Sequence, residues 1–312
     1  LGMIVTLLGI GLLAIAPSFY VLLIAAALIG VGSSTFHPEA SRVARMASGG
    51  RFGTAQSAFQ VGGNSGSAIG PLLAALIIVP NGQIASAWFM LFAFIAVCVL
   101  FKVSQWTIHH AHKMVSSGAA STAYKLHGKT LLRALIVISV LILAKFTYIA
   151  SLSNYYTFYL IHKFHVPLQH AQLYLFAFLA AVAIGTFVGG PIGDRIGRKA
   201  VIWISFIGMV PFALMMPHAN LFWTVILAML AGMILSSAFA AMVVYAQEAV
   251  PGRVGMVAGM MFGMMFGISG IAAAALGALA DRNGIEWVFK LCSFIPLLGF
   301  ATIFLPKTNG KN

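Results

Sequence analysis

A short segment rich in charged residues and glycine lies between two long apolar runs: residues 189–199, GGPIGDRIGRK. The carboxylate of Asp194 is followed there by Arg195, Arg198 and Lys199. Only 7% of the chain is charged, so this cluster calls for an explanation. Glycines permit a tight turn, and a carboxylate can pair with an arginine and cap the N-terminus of the following helix. We predict a charged turn between two helices, with an ordinary basic turn as the alternative.

A second carboxylate is expected to join this turn. Glu248 ends an apolar run just before Pro251 and can pair with Arg195 or Arg198. These groups suit an electrostatic latch better than catalysis. We predict a gating role for Asp194, Arg195, Arg198 and Glu248.

Glu39 is the one carboxylate that lies well inside an apolar run. It follows Pro38, which lacks a backbone N–H and kinks or opens a helix, and His37 precedes both. Ionisable groups inside a membrane span are expected to be functional, and imidazole exchanges protons near neutral pH. We predict that Glu39 and His37 handle a coupled proton. The alternative is that Glu39 only neutralises Arg42 or Arg45.

Lys145 is the deepest cation in the chain, since it lies about twelve residues, or roughly 18 Å of helix, beyond Arg133. Tyr148 and Tyr155 share its helix face, and Asn154 lies alongside. A buried ammonium needs an anion, either a protein carboxylate or a substrate. We predict that these residues bind a substrate anion, and a carboxylate on helices that precede this sequence remains the alternative.

The apolar run that begins at residue 52 has two distinct faces. Amides and a hydroxyl line one face, which lipid would leave unsatisfied. They are Gln56, Gln60, Asn64 and Ser67. We predict that this face lines a wet cavity and that Gln60 and Asn64 bind substrate. The opposite face carries a glycine at every fourth position and predicts close helix packing. Its members are Gly62, Gly66 and Gly70.

The composition is that of a polytopic membrane protein: 61% of 312 residues are hydrophobic. The net charge of +13 does not indicate nucleic-acid binding, because no aromatic-basic motif accompanies it. His109, His110 and His112 have no cysteine or carboxylate nearby, so we expect neither a metal nor a cofactor. No metalloprotease or serine-hydrolase motif is present, so an enzyme is not expected.

Ten apolar stretches approach the roughly 20 residues that a bilayer requires. We place them at 1–16, 20–47, 52–79, 84–105, 130–161, 169–193, 199–217, 220–249, 252–280 and 285–305. The predicted domains are a half-bundle at 1–105, a basic linker at 106–128, a six-helix bundle at 129–306 and a tail at 307–312. Lys and Arg cluster at alternate turns, which predicts that linker, charged turn and C-terminus are cytoplasmic.

An internal repeat relates the two parts of the chain. Ser33-Ser34-x-Phe36 recurs as Ser236-Ser237-x-Phe239, and Arg51-x-Gly53 recurs as Arg253-x-Gly255, both at an offset of about 200 residues. Mapped back by that offset, residues 189–199 fall before Leu1. We therefore expect the sequence to be a fragment in which two helices, and a first copy of the charged turn, are missing from an expected six-plus-six arrangement.

The pattern Gly190-x-x-x-Asp194-Arg195-x-Gly197-Arg198-Lys199 resembles the signature loop of the major facilitator superfamily of secondary transporters. Gly66-x-x-x-Gly70-Pro71 partly resembles the antiporter motif of its drug-exporting branches, although Ser57 replaces an expected glycine. Three further runs resemble bacterial exporters that confer fosmidomycin resistance. They are residues 36–46, 60–64 and 153–159.

This resemblance implies an all-α bundle of two pseudo-repeated six-helix halves in the bacterial inner membrane. It implies export of a fosmidomycin-like phosphonate by proton antiport, with the phosphonate, protons and lipid as partners. We expect a monomer. Proton-coupled uptake of a small anionic metabolite is the alternative, and a membrane enzyme or receptor is a more distant one.

Overall fold

The computed structural model describes residues 1–73, 77–116, 126 and 128–306, and this part of the chain is helical without a β-strand. Eleven α-helices of eight residues or more follow one another in it. They are α1 (Gly2–Ala14), α2 (Phe19–Met46), α3 (Phe52–Leu73), α4 (Phe89–Ser116), α5 (Gly128–Phe164), α6 (Leu168–Ile196), α7 (Arg198–Met215), α8 (Leu221–Ser236), α9 (Ala238–Ala249), α10 (Val254–Asn283) and α11 (Ile285–Cys292). Short 3₁₀ segments at Gln83–Trp88, Met216–His218 and Ile295–Phe304 extend the helices beside them.

The described residues contain eight helical segments that are long and apolar enough to cross a membrane. Backbone groups in lipid must bond within their own segment, which is why apolar runs of this length become helices. Two predicted spans are helices outside that set, because α1 has only 13 residues and α3 carries amides and hydroxyls. Eight long apolar helices in one chain make it a multi-pass membrane protein.

The chain divides into two compact units, 1–43 with 69–123 and 44–68 with 124–312. In the first unit, α1 packs closely on α2, since a Cβ at Gly9 would lie 2.8 Å from Ile29. The side chain of Gln83 closes the end of α1 by donating to the carbonyls of Leu13 and Ala16 at 2.7 and 3.0 Å.

The second unit has a large core of aromatic and aliphatic side chains from α5 to α11. Its largest fully buried residues include Tyr148, Tyr156, Tyr245, Phe178 and Phe206. Helix α6 turns into α7 through one residue, Gly197, whose φ of 93° lies in the left-handed region that favours glycine. This turn holds the charged residues of 189–199 at the ends of two helices.

The structure differs from the sequence prediction at three places. Helix α4 continues to Ser116, beyond the predicted linker boundary at 105, because its sequence stays free of helix breakers. The predicted span 220–249 is interrupted at Ser237. No atom of the described residues lies within 4 Å of a Cβ built at Gly62 or Gly66, so the predicted close packing of this face is wrong there. The tail 307–312 and much of the linker lie outside the described residues, and the predicted domain boundaries stay a prediction.

Candidate functional site

Asp194, near the end of α6, caps the N-terminus of α3. Its Oδ1 accepts a hydrogen bond from the backbone N–H of Gly53 at 2.9 Å, and its Oδ2 accepts from the N–H and the hydroxyl of Thr54, both at 2.7 Å. The first N–H groups of a helix have no partner within the helix and carry a partial positive charge. Asp194 therefore satisfies donors that lie about 140 residues away in the sequence.

This finding corrects the prediction that Asp194 caps the following helix. Helix α7 has Gly197 at its N-cap position and no side-chain cap there. The single-residue turn carries the chain past the carboxylate, which is therefore free to reach α3. Gly53 and Thr54 belong to the site, and the sequence analysis did not find them.

Arg198 joins two carboxylates at the start of α7. Its Nη1 lies 2.7 Å from Oδ1 of Asp194, and its Nη2 lies 3.5 Å from Oε1 of Glu248 at the end of α9. All three side chains are at most 19% exposed, so these ion pairs are poorly screened by solvent. Of the two expected partners of Glu248, the structure shows Arg198, whereas Arg195 is exposed and makes no ion pair in the described part of the chain.

A further arginine extends the cluster. Arg45, at the end of α2, donates to Oε1 of Gln247 at 3.2 Å, and its guanidinium lies 3.9 Å from the ring centroid of Phe52. The cation–π contact with Phe52 and the hydrogen bond to the side-chain amide of Gln247 hold this cation beside the end of α9. The residues Asp194, Arg198, Glu248, Arg45 and Gln247, with Gly53 and Thr54, are called the charge cluster below.

Small residues bring α3 and α6 together beneath the charge cluster. A Cβ at Gly190 would overlap the hydroxyl of Ser57 and the carbonyl oxygen of Gly53, and a Cβ at Gly53 would lie 2.7 Å from the carbonyl oxygen of Gly190. Ser57, which interrupts the antiporter pattern, thus faces a glycine of α6. The close approach fixes Asp194 above the first turn of α3.

Lys145 lies near the middle of α5 and is only 4% exposed. Its ammonium donates to the carbonyl of Ser236 at 3.1 Å, and its Nζ lies 5.5 and 5.3 Å from the ring centroids of Phe146 and Phe239. A carbonyl dipole and two aromatic faces offer partial negative charge but no counterion. The environment of Lys145 therefore leaves its charge uncompensated.

The carboxylates of this chain number five, and none contacts Lys145. Within the described residues their partners are Arg42 for Glu39, Arg198 for Asp194 and Glu248, and His162 for Glu286. Asp281 is exposed near the end of α10. No carboxylate of this sequence thus neutralises the ammonium.

The other predicted substrate residues do not form hydrogen bonds with Lys145 or with one another in the part of the chain that is described. Tyr155 donates to the carbonyl of Ala273 on α10 at 2.6 Å, and the exposed Asn154 donates to Ala150 at 2.9 Å. Asn64 donates to Thr186 at 2.8 Å. The hydroxyl of Tyr148 and the amide nitrogen of Gln60 are buried without a partner among the described residues. In the described part of the chain these side chains are therefore separate polar groups that are not joined by hydrogen bonds into one site.

Glu39 and His37 each bond to a neighbour on α2. Glu39 forms a two-pronged pair with Arg42 at 2.5 and 2.9 Å, and the two side chains are 57% and 37% exposed. Nδ1 of His37 lies 3.0 Å from the carbonyl oxygen of Ser33 and 3.1 Å from its hydroxyl. The pair with Arg42 is the arrangement that the sequence left as the alternative to a proton-coupling role.

Within the residues that the structure describes, no three His, Cys, Asp or Glu side chains come together in a way that could hold a metal ion. His109 is exposed and lies 3.1 Å from the carbonyl oxygen of Gln105. The side chains of His110 and His112 lie outside the described residues.

The multi-pass helical fold makes the chain a membrane protein, and the family to which it belongs is one of transporters. The family model described as "Major Facilitator Superfamily" matches residues 1–161 and 137–312. The chain therefore belongs to the major facilitator superfamily.

Two curated relatives match almost the whole chain. It is 54% identical over 314 residues to the fosmidomycin resistance protein of Escherichia coli (strain K12), covering 100% of this chain and 77% of that protein. It is 43% identical over 312 residues to the uncharacterized MFS-type transporter YfnC of Bacillus subtilis (strain 168), covering 98% of this chain and 76% of that protein.

Two crystal structures share the fold at low sequence identity. The human organic anion transporter MFSD10 (TETRAN) is 16% identical with a TM-score of 0.69, over 98% of this chain and 75% of that one. The transporter FucP in the outward conformation is 15% identical with a TM-score of 0.65, over 98% of this chain and 82% of that one. These likenesses extend to the fold alone.

Proposed function

We propose that this transporter exports a fosmidomycin-like phosphonate by alternating access, with protons moving in the opposite direction. The 54% identity to a fosmidomycin resistance protein supports the substrate class. The observation that carries the anion site is Lys145, a buried mid-helix cation that no carboxylate of the chain neutralises. A phosphonate that enters the membrane loses its hydration, and a fixed cation can replace it.

The proposal assigns roles to the predicted site residues. Lys145 binds the phosphonate oxygens, and Tyr148, Asn154, Tyr155, Gln60 and Asn64 contribute polar contacts when the transporter changes conformation. Asp194, Arg198 and Glu248 hold the cytoplasmic gate, and Arg195 lies at its edge. The transporter acts as a monomer in the inner membrane, with the charge cluster and the C-terminus on the cytoplasmic side.

Proton antiport requires a coupling group other than Lys145. A lysine that binds an anion only as ammonium carries its proton and the anion in the same direction. Antiport therefore needs a separate carboxylate or imidazole, and we propose Glu39 with His37 for this role. A transport cycle in which Lys145 alone changes its charge would instead favour the second candidate function, proton-coupled uptake of a small anion.

Everted membrane vesicles that contain the full-length protein test this proposal. We expect them to accumulate labelled fosmidomycin when a pH gradient, acid inside, is imposed. Lys145→Met should abolish accumulation while the protein remains inserted, and Lys145→Arg should bind the drug but transport it slowly, because a bidentate guanidinium holds an oxyanion more firmly. Binding of fosmidomycin to Lys145→Met with wild-type affinity would exclude the contact. Accumulation only in right-side-out vesicles would favour uptake.

A further inference from the structure

Five helices meet at the break between α8 and α9. Ser236 and Ser237 turn their hydroxyls back onto their own helix, to the carbonyls of Met233 at 3.0 Å and Ile234 at 2.7 Å. Such bonds compete with the backbone ladder and favour a bend. The regular helical hydrogen bonding is interrupted at Ser237, between the end of α8 and the start of α9, although the φ of −61° and ψ of −23° at this residue stay in the helical region. This interruption is called the break.

Three neighbouring helices hold this break. Lys145 of α5 donates to the carbonyl of Ser236 at 3.1 Å, and the hydroxyl of Ser205 on α7 lies 2.5 Å from that of Ser237. Gly189 of α6 packs so closely that a Cβ there would lie 2.5 Å from Cα of Ser237. These three contacts therefore fix the position of the residues at which α8 meets α9.

Two of these helices lead from the break to the charge cluster. In α9 every residue except Glu248 is buried, so this short helix is held by packing and resists fraying. Glu248 lies about 18 Å beyond Ser236 at the helical rise of 1.5 Å per residue. Helix α6 runs from Gly189 directly to Asp194. The break and the charge cluster are thus connected by α9 and by the last turns of α6.

We propose that Lys145 latches the break between α8 and α9, and that an oxyanion bound to Lys145 releases the latch. The ammonium now donates to a neutral carbonyl, whereas a phosphonate offers it a full negative charge and a stronger bond. An anion that takes the ammonium away from Ser236 frees α9 to move, and the bond between Glu248 and Arg198 changes with it. Such a ligand shifts the equilibrium by its greater affinity for the released state. The proposal rests on the proposed function for the identity of the anion.

Hydrogen exchange of the full-length protein, followed by mass spectrometry, tests the latch without a transport assay. The N–H groups of Gly53 and Thr54 lie in the first turn of α3, where Asp194 is their partner. Their exchange rate therefore reports the state of the charge cluster. Lys145→Met should accelerate exchange at these two amides and along α9 about tenfold, or about 1.4 kcal/mol. Wild-type exchange rates in a folded Lys145→Met protein would overturn the proposal.

Lys163→Met is the matched control. Lys163 lies on the same helix and also donates to a backbone carbonyl, that of Pro217 at 2.6 Å, but at the far end of α5. Its loss should leave the exchange of Gly53, Thr54 and α9 unchanged, and an equal acceleration there would refute a specific latch. If Lys145→Met fails to fold, Ser237→Ala, which removes the contact with Ser205, should accelerate the same amides, and unchanged rates would overturn the proposal.

The second part of the experiment measures hydrogen exchange in the presence of fosmidomycin. Added to the wild-type protein at saturating concentration, it should accelerate exchange along α9, and it should have no effect on Lys145→Met. Binding measured by calorimetry without any change in exchange would overturn the anion-released latch. If the drug does not bind at all, the proposed function fails, whereas the comparison of ligand-free variants still decides whether Lys145 holds the break.

Discussion

Replacing Asp194 with asparagine removes one negative charge from the charge cluster and changes little else in shape. In the structure four donors converge on the two carboxylate oxygens: the N–H of Gly53 at 2.9 Å, and the N–H of Thr54, its hydroxyl and the Nη1 of Arg198, each at 2.7 Å. Asparagine has one oxygen and one NH₂ group. Whichever way the amide turns, its NH₂ faces donors instead of accepting from them.

The size of the effect follows from these contacts. A hydrogen bond to a charged group contributes about 1.5–3 kcal/mol. Asp194→Asn loses about half of such bonds outright and weakens the others, and the side chain of Asp194 is only 14% exposed, so water replaces them poorly. We expect the interactions that hold the charge cluster together to weaken by about 3 kcal/mol. This corresponds to about a hundredfold shift in the equilibrium between its formed and broken states.

Transport of two different phosphonates into everted vesicles measures this loss. Asp194→Asn should lower both rates at equal amounts of inserted protein, and the ratio of the two rates should stay at its wild-type value. The reason is that Asp194 bonds to backbone and arginine at the ends of helices, remote from Lys145. Asp281→Asn, which neutralises an exposed carboxylate near the end of α10, is the control and should transport normally. A changed substrate preference with normal turnover would refute the reasoning.

Two further predictions concern coupling and packing. Glu39→Gln should keep the exchange of labelled for unlabelled phosphonate but lose accumulation driven by a pH gradient; normal uphill transport would assign coupling to another residue. Gly190→Ala should destabilise the protein by about 1–3 kcal/mol, since the new methyl overlaps Ser57 and the backbone oxygen of Gly53. Gly208→Ala, where a Cβ meets only Ile234 at 3.5 Å, should leave the thermal unfolding temperature nearly unchanged, and an equal loss in both variants would contradict a site-specific clash.

Much of the fold follows from hydropathy, because in lipid an apolar run of sufficient length has no alternative to a helix. The span expected at 169–193 is the helix Leu168–Ile196, and the one expected at 199–217 begins at Arg198. The interruption at Ser237 was not predictable in this way. It depends on serine hydroxyls, and on neighbours from three other helices, which a running average of hydropathy cannot register.

Glycine spacing illustrates a different limit. Helices α3 and α6 both carry glycines on one face, and the sequence favoured the face of α3 with Gly62 and Gly66 as the packing surface. The close contact instead joins Gly190 of α6 to Gly53 and Ser57 at the start of α3. A stripe of small residues permits close approach, but the position of the neighbouring helix decides which stripe is used.

The charges of the site were predictable, whereas their long-range partners were not. Sequence alone predicts that Asp194 pairs with an arginine of the charged turn, and in the structure this arginine is Arg198, 2.7 Å away on the other side of Gly197. The N-terminus that Asp194 caps belongs to α3, about 140 residues earlier. A local rule assigns a cap to the next helix, and only the packing of Gly190 on Ser57 brings the first turn of α3 within reach.

The anion that compensates the Lys145 ammonium could not be identified from the sequence, and the contacts in the structure narrow the choice. Sequence reasoning required an anion for a buried ammonium and left open whether a protein carboxylate or a substrate supplies it. The structure provides a carbonyl, that of Ser236, and the carboxylates of this chain contact other residues or solvent. A carbonyl dipole satisfies one of the three ammonium donors but cannot neutralise the charge. Lys145 thus bonds to the break of α8 and α9 through one neutral carbonyl, and our proposal makes this contact and the binding of a substrate anion consecutive states of one residue.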